Sequence, residues 1–147
     1  MFLPFMCRLR FLEIVIYLTS ATFYDFEILS FLMGSLSISL TSPTSLEHLV
    51  FNISFYWHNG SKSRYHSDHT TFYEHLRDAD VWSHLDSIAN HPTGSQLQRV
   101  DINIGYAFDY SGYLQEPEED EVMEAVLDGL PLLRAKGILF VKAFVSG

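Results

Sequence analysis

The chain is short of basic residues, of cysteine and of unbroken apolar runs, and each shortage removes a class of function. Of 147 residues, 9 are Lys or Arg and 18 are Asp or Glu, a formal net charge of −9. Nucleic-acid binding needs clustered cations to neutralise phosphates, so no nucleic acid is expected as the main partner. Cys7 is the single cysteine, which rules out an internal disulfide framework and a cysteine-based zinc finger. A membrane-spanning helix needs about 20 consecutive apolar residues. Here Arg8, Arg10 and Glu13 interrupt the first apolar run and Asp25 and Glu27 the next, while the stretch 28–40 is short and holds Gly34 and four serines. No membrane span is expected. The early basic residues lie inside the apolar stretch, not ahead of it, so the front is a poor signal peptide and a cytoplasmic or nuclear location is favoured over secretion. Gly60 and Gly94 are isolated and no G-x-S-x-G elbow is present, which leaves neither a phosphate loop nor a hydrolase nucleophile turn.

What is present suffices for a core: 48% of residues are hydrophobic and 15% aromatic, in a length typical of one domain. The charge is uneven. Residues 1–45 carry only Arg8, Arg10, Glu13, Asp25 and Glu27, and all seven histidines fall between His48 and His91. We divide the chain into an apolar N-terminal segment, 1–45, read as one incomplete repeat, and a repeat-like α/β region, 46–147.

The repeat is carried by short segments of one pattern. Leu9–Ile16, Leu46–Ile53 and Leu97–Ile104 each place apolar residues at relative positions 1, 4, 6 and 8. Alternation at the last three positions points to one face of a β-strand. Gly137–Phe144 is a looser fourth copy. The pattern predicts parallel strands near 9–17, 46–55, 97–106 and 138–144. Between them, Val81, Leu85 and Ile88 share one helical face behind the acidic cap Asp78-Ala79-Asp80, which predicts a helix near 79–90. A second helix is predicted near 118–128, opening beside Pro117 and an acidic run at its positive dipole end, with Val122, Ala125 and Val126 buried and Gly129 as its stop. Leu130–Lys136 reads as a short helical turn closed by a left-handed Gly137. Phe26–Met33 reads as an earlier helix. Strand–helix alternation at these intervals gives an α/β fold, either a degenerate leucine-rich-repeat-like βα solenoid or an ordinary α/β layer.

Three stretches resemble the C-terminal, leucine-rich-repeat-like region of fungal F-box proteins of the mushroom type. They are Trp82-Ser83-His84-Leu85-Asp86; Leu97-Gln98-Arg99-Val100-Asp101-Ile102; and Leu130-Pro131-Leu132-Leu133 followed by Lys136-Gly137-Ile138-Leu139-Phe140-Val141. With 46–53 they span about residues 46–147. The resemblance implies a repeat region that presents a substrate to a cullin-based ubiquitin ligase, tethered through an N-terminal F-box to a Skp adaptor. The front lacks the F-box opening L-P-x-E-(I/L), so the chain reads as a repeat-only fragment and binding of a Skp adaptor is not expected of it.

Two functional readings compete. The first is a non-enzymatic protein-interaction module, with no catalytic residue, cofactor or metal ligand assigned. Its surface would be the exposed strand face or the loops 56–75 and 106–116, which hold Tyr65, Tyr73, Tyr106, Tyr110 and Tyr113. The second is a metal-dependent enzyme using the loop from His58 to His75, with His66, Asp68 and His69 joined by His58 or His75 as ligands. No helical His-x-x-x-His spacing supports it, and a solvated insertion explains the same residues. The run Glu116–Glu121 reads as a solvated helix start, since it lacks the glycine and alternating oxygen ligands of a calcium loop. Asn52 and Asn59 match glycosylation acceptors, which matters only for a secreted chain.

Overall fold

The structure, a computed structural model, describes residues 9–18, 23–40, 46–58, 69–90, 96–109 and 118–145. Four strands, β1 (Phe11–Leu18), β2 (His48–His58), β3 (Arg99–Asp109) and β4 (Leu139–Val145), form one sheet in the order β1-β2-β3-β4, every pair parallel. Between them lie α1 (Phe23–Leu40), α2 (His69–Leu76), α3 (Ala79–Asp86) running into a 3-10 turn (Ser87–Asn90), α4 (Glu119–Gly129) and α5 (Pro131–Lys136). The class is mixed α/β, as the periodicity implies.

The register explains why the repeats are legible. Phe11 pairs with His48 and His48 with Arg99, so the three matching segments lie side by side without a residue of slip. Their apolar positions 4, 6 and 8 all point inward: Leu49, Phe51 and Ile53 beside Val100, Ile102 and Ile104 are almost wholly buried. The strand entrances are locked by backbone. The Arg10 carbonyl accepts from the Glu47 and His48 N–H groups, and the Glu47 carbonyl from Gln98 and Arg99. The fourth copy departs by one residue. Val100 pairs with Leu139, so Leu139, Val141 and Ala143 face inward and Phe140, Lys142 and Phe144 outward. That stretch is apolar on both faces, and alternation therefore cannot set its register.

One hydrophobic cluster joins the inner strand residues to helices on a single side. Phe26 of α1 stacks on Phe55. Trp82 of α3 is fully buried, and its indole N–H donates to the Leu76 carbonyl at 2.5 Å. Asp78 caps α3 through the Asp80 N–H, and Gly137 closes α5 at φ 77°. Two details differ from expectation. First, α1 runs through the serine-rich stretch to Leu40, because Ser37 satisfies its hydroxyl on the Gly34 carbonyl and can be buried. Second, the segment expected as loop contains α2. Helix α4 ends at Gly129, as expected, and the glycine also lets Trp82 approach.

Candidate functional site: the outer face of the sheet

Strand alternation sends every second residue away from the helices. Among the described residues nothing packs on that outer face, where Phe11, Val15, Tyr17, Tyr56, Phe140 and Phe144 are exposed. The register arranges it in rows across the sheet: Phe11–His48–Arg99, Glu13–Val50–Asp101–Phe140, Val15–Asn52–Asn103–Lys142 and Tyr17–Ser54–Gly105–Phe144.

The first two rows enclose a carboxylate. Asp101 is nearly buried. Arg99 grips it with two parallel hydrogen bonds, Nε to Oδ2 at 2.8 Å and a terminal nitrogen to Oδ1 at 3.0 Å. His48 Nε2 lies 2.5 Å from the same Oδ2. Aromatic rings flank the group: Phe11 meets the His48 ring edge-on at 5.0 Å, and the Arg99 guanidinium lies 4.3 Å over Phe140. In the next row Asn103 donates to Asn52 Oδ1 and Asn52 donates to Glu13 Oε1, both at 2.9 Å. Beyond it, Phe144 folds over Gly105, where a Cβ would come within 2.9 Å of the ring.

The Arg99 guanidinium holds the Asp101 carboxyl below the usual carboxylate range; His48 adds to this and burial opposes it. A depressed carboxyl stabilises the fold above its ordinary pKa, and that stability disappears as the pH falls through the lowered value. Asp101→Asn should therefore melt below the wild type at neutral pH, and the gap should close as the pH drops under about 4. Thermal melts of both proteins across that range check it.

Both Asp101 oxygens are engaged. Ser54, six residues along β2 from His48, is about 20 Å away, too far for a Ser-His-Asp relay. Among the described residues no group of three His, Cys, Asp or Glu is placed to hold a metal ion. His66 and Asp68 lie outside the described residues, as do the side chains of His58 and His69. His75 sits in α2, its ring stacked 4.8 Å from Phe26. Of the loop tyrosines, Tyr65, Tyr110 and Tyr113 are outside the described residues. Tyr73 accepts a hydrogen bond from the Glu118 N–H. Tyr106 is fully buried on the inner side of β3, so it belongs to the core and not to a binding loop. Glu119, Asp120 and Glu121 form the exposed first turn of α4. Asn52 belongs to the outer-face ladder.

No described helix is long and apolar enough to cross a membrane. Comparison with protein-family models, with curated proteins and with solved structures finds no match to this chain.

Proposed function

We propose that the chain is a non-enzymatic protein-interaction module that binds its partner on the outer face of the sheet. One observation carries the reading: an all-parallel sheet with helices on one side and exposed aromatic side chains on the other. Parallel sheets are nearly always covered on both faces, and the repeat architectures that leave one face open use it as a binding surface. Exposed aromatic side chains rimming a polar centre mark an interaction site. Between the rings, His48 and Arg99 pair with Asp101, and Asn103 with Asn52 and Asn52 with Glu13, so the charge a partner has to meet on this face is Lys142. The sequential strand order and the in-register repeats support a βα solenoid piece similar to the substrate-binding end of fungal F-box proteins. On that reading the chain supplies a substrate-receptor surface and no Skp-adaptor site.

The test compares full-length chain with a Phe140→Glu/Tyr17→Glu variant as immobilised bait in a fungal lysate. Both positions are exposed, though Phe140 lies under Arg99 and beside Asp101, so the variant should melt somewhat lower, stay folded by circular dichroism, and lose the proteins that wild type retains. Equal retention by both baits contradicts the outer-face assignment, and retention of a Skp adaptor by the wild-type chain contradicts the repeat-only reading.

A further inference from the structure

A second uncovered surface lies at the β1 end of the molecule. On α1, Ser30 donates its hydroxyl to the Asp80 carbonyl and Gly34 faces the His84 ring, so this side of the helix meets α3. Ile28 and Leu32 lie one turn apart on the opposite side, and Leu36 on the next turn packs partly against the core. Ile28 is 48% and Leu32 38% exposed. Among the described residues nothing pairs with the other edge of β1. The Arg10 carbonyl turns toward β2, and in a parallel pair alternate residues turn the same way. Hence Phe11, Glu13, Val15 and Tyr17 aim their N–H and C=O groups at the open edge, an unpaired template of the kind proteins normally blunt.

We propose that this end is a two-fold interface with a second copy of the chain, β1 pairing antiparallel with its counterpart and the Ile28/Leu32 patches packing across the axis. Charge selects the occupant. The protein carries −9 overall, so copies repel least where acid is sparsest, and this flank holds few carboxylates. Its carboxylates are Asp25, which is buried, Glu13, which Asn52 engages, and Glu27, which lies on the side of the Ser30–Gly34 stripe. Charge also selects the symmetry. Head-to-tail stacking would set the apolar stripe against the β4 end, where α4 exposes Glu119, Asp120, Glu121, Glu124 and Asp128. A two-fold matches apolar flank to apolar flank and closes after two copies.

Sedimentation velocity of the full chain over a concentration series reads the outcome. The wild type should be a dimer. Leu32→Glu, which places like charges near the axis, should be a monomer. Val15→Pro should also be a monomer; it removes an edge N–H that β2 does not use. Circular dichroism should show both variants folded. Phe140→Glu should remain a dimer, which separates this interface from partner binding on the outer face. A monomeric wild type, oligomers that keep growing with concentration, or a dimer that survives both substitutions would overturn the proposal.

Discussion

Gly129→Ala is expected to lower stability by about 2–3 kcal/mol, although alanine is the better helix former by about 1 kcal/mol. The cause is local crowding. A Cβ at residue 129 would lie 2.4 Å from Trp82 Cδ1, 3.1 Å from its Nε1 and 3.2 Å from the Leu76 carbonyl oxygen. The indole is fully buried and tied by its N–H to that same carbonyl. It cannot swing aside without giving up the bond, and the carbonyl belongs to backbone. For a chain of this size the loss corresponds to a fall in Tm of roughly 5–10 °C. Trp82→Phe removes the crowded ring, so the double variant should lose less than the two single losses combined. An alanine variant as stable as wild type would mean that α4 does not close on Trp82.

Asp86→Ala should cost a similar amount, about 2–3 kcal/mol, for a different reason. The helix α5 starts behind Leu130, which supplies no side-chain cap. The cap comes from Asp86, nearly fifty residues earlier. Its buried carboxylate accepts the Leu132 N–H at 3.1 Å and the Leu133 N–H at 2.9 Å. Alanine leaves those donors without their acceptor beside an apolar core; asparagine keeps one acceptor and should lose less. Hydrogen exchange locates the effect. The amides of Leu132 and Leu133 should lose protection first, followed by β4, since α5 leads through Gly137 into that strand. Outer-face aromatics Phe140 and Phe144 would loosen with it. Unchanged protection at Leu132 and Leu133 would contradict the capping role.

These two contacts show which parts of the fold are legible in the sequence. Trp82, Leu85 and Asp86 stand out as a motif, and the structure gives each a buried role, but Gly129 and Leu132 are distant in sequence and read only as a helix stop and part of a separate stretch, with nothing to tie them to Trp82 and Asp86. Strands β1 to β3 are readable because one face is apolar and the other mixed, so a period of two fixes both existence and register. In β4, with apolar residues on both faces, existence is readable and register is not. Helix α1 is longer than its periodicity suggests because it is apolar nearly all round, and Ser37 is buried through a bond to its own helix. Tyr106 reads as a loop tyrosine only while β3 is taken to end there; the strand continues to Asp109.

The candidate site was half legible. An exposed strand face follows from alternation alone. The cluster of His48, Arg99 and Asp101 follows only once Leu46–Ile53 is aligned with Leu97–Ile104, because position 3 of each copy then becomes a cross-strand neighbour. Asn52 and Asn103 share a position by the same alignment. Without that step His48 is one histidine among seven, and the loop from His58 to His75 draws attention by composition instead.

The central claim is that the outer face of the sheet meets the partner while the helical side faces solvent. Site-specific photo-crosslinking in a lysate of the source organism tests it most directly, with the photoreactive residue at Phe140 in one 147-residue chain and at Glu119 in another. The account predicts a discrete adduct from position 140 and none from position 119. An adduct at 119 with none at 140 would contradict it.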